Sequence, residues 1–310
     1  MSYTLDIVLK DIKPSWMEFF NKPDINDLLL NTLKKINQDE ADGITIYPTP
    51  NLVFHALKYF DVLETKAVLI GQDPYIFYEY VNGVKIPQAT GLSFSIPSCI
   101  KKIPPSLVNI FKELKNSIPE FEDPINGDLT VWTKEEKILL LNSYLTVQEK
   151  KSNSHKQYWD EFSDYLIKFI QDKCQSTVFI LLGLEAFKKV GFWPANRGTS
   201  PKELKPKIVD DKKHKIFYAG HPSPANTRGD FNGSNVFKQV NDYFDSKSQL
   251  HINWHLVNRD NHKPIIKKQQ NQSNNQGIFA MINKIPQSPK KIATKSKKVA
   301  KVIKETNNDE

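Results

Sequence analysis

The run "KAVLI" (66–70) leads straight into "GQDPYIFYEY" (71–80), and this junction decides the fold. A short stretch of branched apolar residues that ends in Gly, Gln, Asp and Pro reads as a buried strand followed by a turn. The turn formers explain the change of direction but not Tyr75, Phe77, Tyr78 and Tyr80 beyond them. Three further runs repeat the pattern: "ILLLN" (138–142), "TVFILLG" (177–183) and "KIFYAG" (215–220). Helical periodicity separates them. "PPSLVNIFKELKNSI" carries prolines at its start and apolar residues at Leu107, Ile110, Phe111 and Leu114. "SHKQYWDEFSDYLIKFIQDK" places Tyr158, Phe162, Leu166 and Phe169 on one stripe, which reads as core. Strands buried on both faces and alternating with helices predict an α/β fold of three layers, a central four-stranded parallel sheet flanked by helices.

In open parallel sheets ligands sit outside the carboxyl ends of the strands. The four runs end, in order, at Gly-Gln-Asp-Pro-Tyr, at Asn142, at Gly183 and at "GHPSPANTRG". A carboxylate, a carboxamide, a glycine turn and a histidine are thereby expected at one edge. Asp73 there suits the positioning of water and the stabilisation of a cationic sugar. His221 suits a hydrogen bond to a leaving group that gains negative charge. Asn142 offers a donor and an acceptor to a base edge, and Phe94 in "GLSFSIP" offers a ring on which a base can stack. No second carboxylate is placed to protonate a sugar oxygen, which argues against an ordinary glycoside hydrolase. Each residue also has a plainer reading. Asp73 can start a turn, Phe94 can fill a core, Asn142 can cap a strand end, and His221 can be a solvated loop residue.

Composition sets the frame. With 310 residues, 39% of them hydrophobic and 11% aromatic, the chain can bury a large core, so wholesale disorder is excluded. Cys99 and Cys174 match no zinc spacing and build no disulfide framework. No metal set and no cofactor motif is visible. No apolar run approaches a membrane span, and no secretory start is present, which predicts a soluble, intracellular protein without membrane contact. Residues 261–310 hold eleven lysines against Glu305, Asp309 and Glu310, so the whole net charge of +8 lies there. This predicts two parts, a catalytic domain over 1–260 and a basic, disordered tail over 261–310.

The blocks "GQDPY", "GLSFSIP", "PPSL.NI.KEL", "GDLT.W.....ILLLN..LTV", "SHK..W..F", "F.LLG..A" and "HPSPANTRGDFNGSNVF" together resemble the family 1 uracil-DNA glycosylases, in that family's order, from about residue 45 to 256. The resemblance implies a monofunctional glycosylase that hydrolyses the N-glycosidic bond of uracil in DNA and initiates base excision repair. It implies that Asp73 positions water and stabilises the sugar cation, and that His221 stabilises the uracil anion. Uracil would be held by Gln72, Tyr75, Phe94 and Asn142, with Tyr75 rejecting thymine's methyl group and Asn142 rejecting cytosine. Pro104, Pro105, Ser106, Gly183, Ser223, Asn226 and Arg228 would grip the DNA backbone, positioning the strand without reading it. The implied partner is uracil-containing DNA, single- or double-stranded, bound by a monomer without cofactor.

The departures from the pattern cluster at the DNA contacts. Ile76 replaces the histidine usual after "GQDPY", and an insertion follows (77–90). Its aromatics would either stack on unpaired bases or pack the insertion onto the body. Leu184 stands at a phosphate-gripping serine, Ala225 at the leucine that wedges into the duplex, and Asn226 at another serine. A second insertion spans 191–211. Loss of grip admits an alternative, a DNA-binding or replication-associated module with weak or no catalysis; a glycosylase for another damaged base is a third. In the tail, "PKKIATKSKK" suits a DNA arm, a nuclear localisation signal or mere solubilising charge. "QGIFAMI" (276–282) loosely resembles a sliding-clamp docking motif.

Overall fold

The computed structural model describes residues 2–199 and 207–256, all within one unit, Met1–Lys263. The tail, its boundary near residue 260 and its clamp, nuclear and DNA-arm expectations lie outside the described residues. Three helices open the chain: α1 (Leu5–Val8), α2 (Pro14–Phe20) and α3 (Pro23–Ala41). Then come β1 (Ile46–Tyr47), β2 (Ala67–Gly71), β3 (Tyr78–Val81), β4 (Val84–Pro87), α4 (Pro105–Ser117), α5 (Thr130–Lys134), β5 (Ile138–Asn142) and β6 (Val147–Gln148). The last elements are α6 (Lys156–Lys173), β7 (Val178–Leu182), α7 (Leu184–Lys189), β8 (Lys215–Ala219) and α8 (Val236–Ser246).

The predicted α/β architecture is present. The central sheet has the order β5-β2-β7-β8, and every pairing in it is parallel. All residues of β2, β5 and β7 are buried, as expected of strands covered on both faces. The fourth run departs from that expectation. β8, at one edge of the sheet beside β7, is exposed to half-buried until Ala219, whereas β5 at the opposite edge is covered on both faces. Helix α3 packs on α6, and α4 on α8. In the α6 stripe Phe162, Leu166 and Phe169 are buried. Tyr158 is half-buried and stacks on His155 at 4.9 Å between ring centroids.

Register decides what meets at the sheet's carboxyl edge. Gly71 pairs with Asn142, and Leu182 with Ala219. The turn after β2, the last residue of β5, Gly183 and the Gly220–His221 turn therefore lie at one level. Buried Glu113 of α4 accepts the backbone amides of Gly233 at 2.5 Å and Asn235 at 2.7 Å, anchoring the chain between that turn and α8. A buried carboxylate is tolerated where such donors compensate its lost hydration.

Candidate active site

A cleft of about 1000 Å³ opens at this edge. Its walls include Gln72, Asp73, Tyr75, Phe94, Asn142 and His221, so the sequence-predicted pocket residues converge. Pro104, Pro105, Ser106, Ser223, Asn226 and Arg228 line it as well. Ser106 lies in the first turn of α4, behind Pro104 and Pro105, where unpaired backbone amides favour an anion.

Asp73 is clamped from a distant segment. Its Oδ2 accepts the Ser152 hydroxyl at 2.8 Å and the Asn153 amide at 2.6 Å. Its Oδ1 receives one long contact, from Gln72 Nε2 at 3.3 Å, and keeps capacity for water or substrate. Burial pushes the carboxyl above the usual carboxylate range, with those hydrogen bonds opposing the shift. Ser152 and Asn153 directly precede the "SHK" block and carry no sequence signal of this contact. His155 of that block is fully buried and holds their loop. Thr146 Oγ1 accepts Trp159 Nε1 at 2.6 Å and bonds His155 Nδ1 at 2.8 Å, while His155 Nε2 lies 3.1 Å from Asp39.

Asn142 is 5% exposed and lines the cleft. A carboxamide on the wall of a cleft can offer a ligand both a donor and an acceptor. Gly71 makes room for it, since a Cβ there would lie 2.5 Å from Asn142 Oδ1. The Tyr75 hydroxyl donates to the Phe94 carbonyl at 3.2 Å, and burial raises its pKa. Phe94 adopts a left-handed backbone (φ 63°), and its ring centroid lies 6.3 Å from that of His221.

The Ser223 amide donates to His221 Nδ1 at 3.0 Å. That bond makes Nδ1 an acceptor, so the neutral ring carries its proton on Nε2. Burial lowers the His221 pKa and favours this neutral form.

Two residues expected to grip DNA have internal duties. The buried Gly183 spends its amide on the Ala219 carbonyl (3.0 Å), and a Cβ there would lie 2.7 Å from His221 Cβ. It is a spacer for the histidine rather than a free donor. The Asn226 side chain binds the His221 carbonyl and Asp230 Oδ1, both at 2.9 Å, and braces the loop. Arg197, from the second insertion, joins this brace through Asp230 Oδ2 at 2.6 Å. Asn109 of α4 reaches the Pro222 carbonyl at 2.8 Å and ties the helix to the histidine loop.

Among the described residues no cluster of three or more His, Cys, Asp or Glu is placed to hold a metal, and no helix is long and apolar enough to cross a membrane.

The profile of the uracil DNA glycosylase superfamily matches residues 57–245. A uracil-DNA glycosylase of Campylobacter hominis is 38% identical over 251 residues, covering 81% of this chain and 95% of its own. One from Klebsiella pneumoniae is 37% identical over 226 residues, covering 73% and 87%. The crystal structure of mimivirus uracil-DNA glycosylase superposes with a TM-score of 0.67 at 26% identity, covering 79% of this chain and 87% of that one. The chain belongs to the uracil DNA glycosylase superfamily.

Proposed function

We propose that Asp73, Tyr75, Phe94, Asn142 and His221 form the centre with which this chain excises uracil from DNA. The protein is a hydrolytic DNA glycosylase of base excision repair. The observation that carries the assignment of its centre is the convergence of Asn142, 5% exposed, with Phe94, Tyr75, Asp73 and His221 on the walls of one cleft. Uracil offers O4 as acceptor and N3–H as donor, which one carboxamide satisfies. Cytosine reverses both and leaves the amide unmatched. An extruded base stacks on Phe94.

The bond between C1′ and N1 then breaks, and its electron pair moves onto the base. His221 Nε2–H donates to the oxygen where that charge collects. Asp73 faces the sugar cation, orients water through Oδ1 and takes the proton as water adds to C1′. The uracil anion takes up a proton and Asp73 gives one up, directly or through solvent, so the products are free uracil and an abasic strand. Ser106, Ser223 and Arg228 hold the phosphates, and one chain supplies every named residue, which supports action as a monomer.

The test is an oligonucleotide with a single deoxyuridine, incubated with EDTA and then treated with alkali. Breakage at the uracil position is expected; an intact strand overturns the reading, and breakage only without EDTA overturns its metal-free chemistry. Thymine rejection has its own check. A methyl group forced against Tyr75 is an overpacking clash of about 1–3 kcal/mol. Tyr75→Ala should release thymine from a thymine-containing strand and lower selectivity for uracil by about 10- to 100-fold. A variant active on uracil that frees no thymine would place the exclusion on another residue.

A further inference from the structure

The insertion after Ile76 is a two-stranded hairpin, β3 against β4, turned by Asn82 (φ 50°) and Gly83 (φ 79°). The Gln88 amide adds a rung by donating to the Phe77 carbonyl at 3.0 Å. One side of the hairpin is fastened to the body. Tyr78 packs beside Tyr47, Ala89 and Val147, and Lys85 Nζ sits 4.1 Å from its ring centroid. Lys85 also pairs with Glu149 at 2.6 Å, and the Tyr47 hydroxyl donates to the same carboxylate at 2.7 Å.

Phe77 is not spent in this way. Its side chain is 52% exposed although its backbone is held, and it lines the same cleft as Asp73, Asn142 and His221. A single exposed phenylalanine on a surface needs no explanation. One carried by a fastened hairpin on the wall of a nucleotide-binding cleft is different, because every base has a face that can stack on it. The same cleft carries Lys102 and Arg228, cations that suit the phosphates of a strand running past the ring. The small, exposed Ala225 on its lining cannot fill the space that an extruded base leaves.

We propose that the β3–β4 hairpin is a stacking shelf for the substrate strand, on which Phe77 meets the base next to the extruded uracil. This rests on the uracil-excision reading. It assigns Phe77 a role in holding the strand, outside the chemistry of bond cleavage. Tyr80 is 68% exposed but does not line the cleft, so it serves as the internal control.

The experiment uses the full chain and single-stranded oligonucleotides with one deoxyuridine. The neighbouring nucleotide, on either side in turn, is intact or replaced by a stable base-less analogue. With the wild-type protein, removing the base on one side should lower kcat/KM by about 5- to 150-fold, the worth of one base–aromatic stack. Phe77→Ala should show that loss on the intact strand and no further loss on the base-less one. Phe77→Trp should restore activity, and Tyr80→Ala should retain the wild-type dependence on the neighbouring base. Inhibition by free uracil should be unchanged in Phe77→Ala, showing an intact pocket. A fluorescent 2-aminopurine beside the uracil should be quenched on binding the wild type and not on binding Phe77→Ala. Independent, multiplying losses from the variant and the missing base would overturn the shelf, as would full activity of Phe77→Ala. A wild-type protein that frees no uracil from the intact strand would instead overturn the excision reading, and the shelf with it.

Discussion

Asp73→Asn should lower the single-turnover rate of uracil release by about 100- to 1000-fold, the scale on which one preorganised electrostatic contact acts in a catalytic site. The substitution keeps the shape and removes the charge. Asn153 and Ser152 both donate to Oδ2, so the new amide must turn its oxygen toward them. Its nitrogen then faces Gln72 Nε2, a donor opposite a donor, and neither the water nor the sugar cation finds a carboxylate. DNA affinity should change little, because the residue is proposed to meet the sugar rather than the phosphates. The acid side of the pH profile offers a second check. Burial raises the Asp73 pKa and lowers that of His221. As pH falls, Asp73 takes up its proton earlier than an ordinary carboxylate, and His221 gains its second proton later than an ordinary histidine. The wild-type rate should therefore fall on the acid side above the usual carboxylate range, while the residual rate of Asp73→Asn loses that component. A variant within threefold of wild type, or one with an unaltered acid limb, would remove Asp73 from the chemistry.

The parts of this design that were legible in the sequence have local causes. β2, β5 and β7 are short apolar runs because both faces are buried, and that signal survives without any neighbour. The resemblance named the pocket residues, which the register of β2 with β5 and β7 with β8 brings to one edge. What escaped is non-local. Ser152 and Asn153 reach Asp73 across 79 and 80 residues, and nothing in "KKSNSHK" announces such a contact. Arg197 and Asp230 meet across 33 residues, with the Arg197 end inside an insertion. The hairpin has a local signal, Asn-Gly between residues of high strand propensity, which marks a tight turn. Helices α2 and α3 carry a local signal too, since each starts with proline at its first position. Gly183 was assigned to phosphate contact by its block, whereas its neighbours in space give it another purpose.

That purpose yields the second large effect: Gly183→Ala should cost about 100-fold in the single-turnover rate without touching a reacting atom. Two penalties meet at this position. The backbone has φ 93° at the start of α7, a conformation that side-chain-bearing residues rarely adopt. A methyl group would lie 2.7 Å from His221 Cβ, 3.0 Å from its Cδ2 and 3.1 Å from its Cα. The first distance is shorter than real contacts allow, the other two are tight, and two of the atoms lie at or next to the backbone, so the histidine must move as a unit. Its Nδ1 is held by the Ser223 amide and its carbonyl by Asn226, so displacement strains the brace as well as the ring. A shift approaching 1 Å in a catalytic group is worth about 100-fold in rate. Gly43→Ala separates the two penalties. Gly43 also has a positive φ, 82°, but no atom lies within 4 Å of where its Cβ would be. Both variants should be less stable than wild type, and only Gly183→Ala should lose activity beyond what its unfolded fraction explains. The measurement is single-turnover uracil release alongside thermal unfolding for each. Equal activity in the two variants would mean that His221 tolerates the methyl group, and Gly183 would then be a helix-start glycine without a part in the active site.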